Sequence, residues 1–172
     1  MVNEINEVTD AGARAGVRPA FVVFLKAAVA IGIIGFITKW SGNAMLMPPL
    51  GATAFLCCLK PDAPFASFRN ITIGHTIGIL CGGLATVALG VYGLPFAGHA
   101  NMSIERILAI MLALGSTCGL MIYTDTPHAP AGATTLVVSM GSLTSWTQFA
   151  EFEAGVILLA LFAVVNQRYL SK

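Results

Sequence analysis

Charge is scarce in this chain. Lys and Arg number nine and Asp and Glu eight, together 10 % of 172 residues, against about a quarter in an ordinary soluble domain. Ile71 to Phe96, Ile107 to Tyr123 and Gly155 to Asn166 carry no charge at all. With 56 % hydrophobic residues, such runs exclude a soluble globular domain and predict an all-α integral membrane protein. A net charge of +1 leaves no basic patch, and so no nucleic-acid partner. Metal and redox motifs are missing too. Cys57, Cys58, Cys81 and Cys118 fall within apolar segments at spacings that fit neither, and are predicted to be buried small hydrophobes. No nucleophile–base pattern, metal-ligand cluster or cofactor motif is present, so the chain is read as neither an enzyme nor a cofactor carrier. The first 19 residues are polar and lack the apolar core of a secretory signal. They are predicted to form a disordered or interfacial tail before a single transmembrane domain over 20–172.

What is present begins with four long apolar segments: Ala20 to Trp40, Ile71 to Tyr92, Ile104 to Tyr123 and Ala154 to Leu170. Each has about the 20 residues a bilayer core requires. Trp40, Trp146 and Tyr169 are read as interfacial anchors. Gly74, Gly78 and Gly82 recur at four-residue spacing, as do Gly115 and Gly119. That spacing lets helix backbones approach closely. Packing inside one subunit is the favoured use, and a seam between subunits of a homo-oligomer is the alternative.

Two shorter segments, around Pro49 to Leu59 and Pro130 to Trp146, are broken at their starts by Pro and Gly. The first begins Pro49-Leu50-Gly51-Ala52-Thr53, and the second, 81 positions later, begins Pro130-Ala131-Gly132-Ala133-Thr134. Each half, about 20–92 and 101–172, therefore reads long helix, broken segment, long helix. Outside the strings MPPLGATAF and HAPAGATTL the halves align poorly. If the broken segments cross the membrane, six spans put Arg14, Arg18, Lys26, Lys60, Arg69, Arg168 and Lys172 inside and only Lys39 and Arg106 outside. If they turn back, four spans divide these charges six to three. Six spans obey the positive-inside rule better. The expected fold is thus a 3+3 inverted repeat, with both termini in the cytoplasm of a bacterial cell and the spans in its inner membrane.

Paired Pro/Gly-broken segments in corresponding positions of two halves point to a transport site near the bilayer midplane. Pro is tolerated in a first helical turn, and Gly leaves the backbone open to approach. The first N–H groups of a helix lack internal partners and carry the positive end of its dipole, so a small anion suits them. Pro49, Gly51, Ala52, Thr53, Pro130, Gly132, Ala133 and Thr134 are therefore the candidate substrate-binding residues, with the threonines adding hydroxyl donors. His128 belongs with them, and Met47 holds its place in the first copy. Asp125 and His128 precede the second copy and are read either as proton or gating groups or as a pair that shapes the loop. His75 lies one turn inside the second long helix, where an interfacial position is slightly favoured over a functional one. Arg69 is a candidate for drawing anions to a cytoplasmic mouth, or else an anchor. Asn166 is expected only to cap or snorkel.

The stretch YTDTPHAPAGATTL resembles the signature of the HPP family of small membrane proteins. MPPLGATAFLCCLKPDAPFASFRNITIGHTIG resembles that family's first-half pattern. The resemblance runs from about Val22 onward and implies an integral membrane protein. Plastid and cyanobacterial members are linked to nitrite transport, so it also implies a small inorganic anion as substrate. Carried over by position, the motif falls on His128, Ala129 and Pro130, followed by Gly132, Ala133 and Thr134. Ala129 departs from the Pro usual there. Some relatives carry extra soluble regulatory domains, which this chain is expected to lack. Transport of a small anion, nitrite first, is the leading expectation. A non-transporting subunit packed on a partner is the alternative, and a membrane enzyme built on Thr124, Asp125, Thr126 and His128 comes last.

Overall fold

The computed structural model describes residues 16–98 and 102–170, so most of the polar N-terminal tail, including Arg14, and Lys172 at the other end lie outside the described residues. The fold among them is all helical. Six α-helices run in order: α1 Val17–Ser41, α2 Pro48–Leu59, α3 Phe68–Ala88, α4 Ile104–Tyr123, α5 Pro130–Ser139 and α6 Trp146–Val165. A 3₁₀ turn, Pro64–Ala66, precedes α3, and a π turn, Asn166–Leu170, follows α6.

Local chemistry explains where the helices begin. Ser67, Ser103 and Ser145 cap α3, α4 and α6, their hydroxyls accepting from the N–H groups of Asn70, Arg106 and Gln148. These bonds satisfy donors that a helix start leaves over. The two short helices start differently, with proline in the first turn and no side-chain cap. Gly141, at φ 86°, ends the second of them in a left-handed conformation that favours glycine. The last long helix starts at Trp146, eight residues before the expected Ala154. Glu151 and Glu153 read as a polar boundary in the sequence, yet the helix holds both. Glu151 accepts the backbone N–H of Ala44, and Glu153 accepts the hydroxyl of Thr76.

Four helices, α1, α3, α4 and α6 (the last counted with its π turn), are long and apolar enough to cross a membrane. At 1.5 Å per residue α2 and α5 reach only about 18 and 15 Å, short of a bilayer core of about 30 Å. Hydrogen bonds between loops nevertheless define two ends of the bundle. At one end His128 donates to Phe65, Arg69 donates to the carbonyls of Thr124 and Asp125, and Asn166 donates to Cys57 at the close of α2. At the other, Ala97 donates to Met140, Arg106 donates to carbonyls of Leu94, Pro95 and Ser139, and Ala44 donates to Glu151. Helix α2 therefore starts at the second end and finishes at the first, and α5 runs the opposite way.

Helix α3 is the most buried of the four long helices and packs against α4, α5 and α6. Its glycines make the approach to α5 possible. A Cβ on Gly78 would stand 2.7 Å from the carbonyl oxygen of Ala131, and one on Gly82 would stand 2.8 Å from Val138. The stripe Gly74, Gly78, Gly82 thus serves packing within one subunit, as favoured from the sequence. Gly115 and Gly119 on α4 behave otherwise, with nothing within 4 Å of a Cβ. Cys118 beside them is exposed, unlike Cys57, Cys58 and Cys81, which corrects the expectation that all four thiols are buried.

Candidate functional site

Four polar side chains meet where α2, α3 and α5 come together. Thr53, His75 and Thr134 are 0 % exposed and His128 is 1 % exposed. Thr53 Oγ1 lies 2.9 Å from His75 Nε2 and 3.0 Å from His128 Nε2. His75 Nδ1 lies 2.6 Å from Thr134 Oγ1. His128 Nδ1 lies 2.8 Å from the carbonyl oxygen of Phe65. The imidazole centroids are 5.0 Å apart, and the ring of Phe152 from α6 closes on His75 edge-on at 5.9 Å. The threonines of the two repeated strings thus reach a single site, joined through His75.

The geometry assigns the hydrogens when both rings are neutral. A carbonyl only accepts, so His128 Nδ1 carries a hydrogen and Nε2 accepts. The hydroxyl of Thr53 then donates to His128 Nε2. Thr53 Oγ1 must take its own bond from His75 Nε2–H, which leaves His75 Nδ1 to accept from Thr134. One directed chain results: Thr134 to His75, His75 to Thr53, Thr53 to His128, His128 to Phe65. Every member has a partner, as buried polar groups require.

His75 is therefore buried among the helices. The sequence places it one turn into an apolar run, but the observed α3 starts three residues earlier and three other helices cover that turn. His128 is held by Phe65 and Thr53, not by Asp125. Asp125 itself is exposed, at φ 52°, and it is its carbonyl, with that of Thr124, that holds Arg69 at 2.8 Å. Arg69 and Asp125 thus tie α3 to the end of α4 at the bundle surface, away from the buried cluster. Pro49 and Pro130 are buried, Gly51, Ala52 and Ala133 face outward, and Gly132 is half-buried. The first-turn N–H groups are engaged locally. Leu50 donates to Met47, Ala131 to His128 and Gly132 to Ala129. It is the hydroxyls and imidazoles, rather than bare helix-start amides, that the structure gathers.

Other buried polar residues have roles that the sequence reading either did not single out or, for Asn166, placed at a cap. The hydroxyls of Thr117 and Thr135 are 2.8 Å apart, which continues a polar seam along α5 from Thr134. Arg106, counted in the sequence only as an outer charge, is 3 % exposed. Its guanidinium donates to Ser139 at 3.1 Å and to Leu94 and Pro95 at 3.4 Å. There it meets the negative end of α5. Asn166 is fully buried and donates to Cys57 at 2.9 Å, joining α6 to α2 instead of merely capping. The small-xxx-small and Ser/Thr pattern of α5 was the available signal for the seam. Among the described residues no three His, Cys, Asp or Glu side chains gather as a metal-holding group.

Residues 13–172 match the family model for the HPP transmembrane region. The chain belongs to the HPP family. Two transmembrane proteins of Dictyostelium discoideum are similar to it. One is 30 % identical over 132 residues, covering 74 % of this chain and 43 % of the relative. The other is 28 % identical over 140 residues, covering 79 % and 42 %. The chain therefore spans less than half the length of the curated relatives it matches. No solved structure matches it.

Proposed function

We propose that this HPP-family chain carries a small inorganic anion across the membrane, with nitrite as the first candidate. The observation that carries the reading is the meeting of Thr53 and Thr134 at one imidazole pair. An apolar bundle that would lie in lipid buries four polar side chains from three helices and the loop before α5. Ionisable groups in such a position are costly and are retained for function. Two hydroxyls and two imidazoles offer hydrogen-bond donors to an anion that leaves its water behind, and the surrounding apolar walls exclude bulkier solutes. The cluster is shut in this structure, so passage needs α2 or α5 to move against α3, as alternating access would provide.

The opposite directions of α2 and α5 support an inverted repeat with six crossings. Lys60, Arg69 and Arg168 gather at one end of the bundle, where α1 also starts, and that end is taken as cytoplasmic. A bacterial inner membrane is the proposed location. The exposed Gly115 and Gly119 suit a homo-oligomer. The reading is of a transporter rather than an enzyme.

The test is uptake of nitrite into liposomes bearing the purified chain, compared with nitrate, formate and chloride. Uptake above that of protein-free vesicles, reduced in Thr134→Val and His75→Gln, is expected. Wild-type flux that both substitutions leave unchanged would move the path elsewhere. No flux of any of the four anions would favour a subunit that acts only with a partner.

A further inference from the structure

We propose that the cluster takes up a proton at His128 together with each anion, so that the pair crosses as an electrically neutral unit. This rests on the anion-transport reading above and adds its driving force. The starting point is a second acceptor for Thr53. Its Oγ1 lies 3.2 Å from the carbonyl oxygen of Pro49, one turn back in α2. In the neutral chain the Thr53 hydrogen serves His128 Nε2, and the Pro49 carbonyl goes without it. If that hydrogen turns to Pro49, His128 Nε2 is free to bind a proton and to donate it back to Thr53 Oγ1. The hydroxyl oxygen then accepts from both imidazoles. Thr134 still donates to His75, and His128 still donates to Phe65. The neutral chain has four hydrogen bonds and the protonated one five. The proton adds a bond and strands no group, as buried polar groups require.

Charge is what opposes uptake. A lone cation in an apolar bundle is strongly disfavoured, and so is a lone anion. The other titratable groups around the cluster fit this division. From α2 come the thiols of Cys57 and Cys58. From α6 comes Phe152, with the carboxylate of Glu153 held by Thr76 on α3. Lys26 on α1 acts electrostatically on Cys58. Arg69 donates to the backbone carbonyls of Thr124 and Asp125, Arg106 at the far end donates to that of Ser139, and the Asp125 side chain is exposed at the bundle surface. Within the cluster itself, the positive charge an anion needs comes from an imidazole that gains a proton. Anion and proton then each favour the binding of the other by the same factor. The proton arrives at His128 Nε2 and leaves with the anion, so charge and atoms balance over the cycle. The Pro49 carbonyl gives the proline of the first string a part in the chemistry. The backbone nitrogen of proline has no hydrogen, and Pro49 contributes only its acceptor.

Nitrite uptake is measured in liposomes with and without an inward proton gradient, the voltage being held at zero or negative inside by potassium and valinomycin. Protein-free vesicles correct for passage of the neutral acid. In parallel, detergent-solubilised protein in weak buffer is mixed with nitrite while a dye reports proton uptake. The expected result is voltage-independent accumulation of about tenfold per unit of pH gradient, with one proton taken up per nitrite bound. Thr53→Val keeps both rings but removes the link, and should lose the acceleration by the gradient. Thr53→Ser should keep it, which separates a relay from mere packing. ¹⁵N-histidine spectra should place the added hydrogen on His128. Nitrite flux that carries current and ignores the gradient would overturn the proposal while leaving anion transport standing. Nitrite binding without proton uptake would do the same. Neither flux nor nitrite-linked proton uptake would sink both.

Discussion

Gly78→Ala adds one methyl group where α3 meets α5, and should destabilise the fold by about 1–3 kcal/mol. The new Cβ would stand 2.7 Å from Ala131 O and 3.0 Å from Thr135 Oγ1. Ordinary contact begins at 3.4 Å, so α5 must retreat by roughly 0.7 Å. The nearer obstacle is backbone, so no change of rotamer relieves it. Retreat of α5 also stretches the Thr134–His75 bond, because the same helix carries Thr134 four residues after Pro130. Alanine's better helix propensity recovers only about 0.5–1 kcal/mol. Gly115→Ala is the control. Nothing lies within 4 Å of its Cβ, so it should be neutral or stabilising by up to about 1 kcal/mol. The pair should therefore differ by about 1–4 kcal/mol. Unfolding in mixed micelles of increasing sodium dodecyl sulfate, followed by tryptophan fluorescence, measures that difference. Equal stability of the two variants would show that the α3 glycine stripe does not pack α5 within a subunit, and the site geometry built on that contact would fall with it.

Arg106→Ala should cost about 2–3 kcal/mol in the same unfolding assay, because the charged donor that closes the end of α5 is lost. Arg106→Lys should recover only part, since an ammonium cannot reproduce the guanidinium's planar fork. Asn166→Ala should cost about 1–2 kcal/mol by leaving the buried Cys57 carbonyl without that donor. In a variant lacking native thiols, single cysteines at Ser41 and Asp62 should react with a membrane-impermeant maleimide from opposite sides, as should a pair at Pro127 and Ser142. Labelling of either pair from one side only would mean that α2 or α5 turns back within the membrane.

The sequence made legible whatever depends on a single segment. Hydropathy located the long helices, and α4 begins and ends as expected at Ile104 and Tyr123. Four-residue glycine spacing identified the packing face of α3. Pro followed by Gly-Ala-Thr marked the starts of both short helices. Features that depend on what lies across the bundle were harder to read. The start of α6 was missed because two carboxylates look like a boundary until Ala44 and Thr76 are seen to be their partners. Asp125 and His128 stand three apart in the sequence and suggest a pair, yet their partners come from Arg69 and from Phe65 and Thr53. Arg106 reads as an exposed end charge because its three acceptors lie 11 to 33 residues away.

Thr53 and Thr134 show how local and global information combine at the site. From the sequence they are two hydroxyls in matching strings, each in the first turns of a broken helix, with the neighbouring amides as the expected ligands. In the fold those amides bond within their own turns, Gly51 faces away and Gly132 is only half-buried. What survives of the repeat is its register: the threonine in each copy points inward and the Gly-Ala pair does not all follow it. Two helices that run in opposite directions can present equivalent threonines to one point only if something of the right length bridges them. His75 does this through its two ring nitrogens, 2.9 Å from one hydroxyl and 2.6 Å from the other. A histidine on α3, outside both strings, is thus what turns a duplicated motif into a single site.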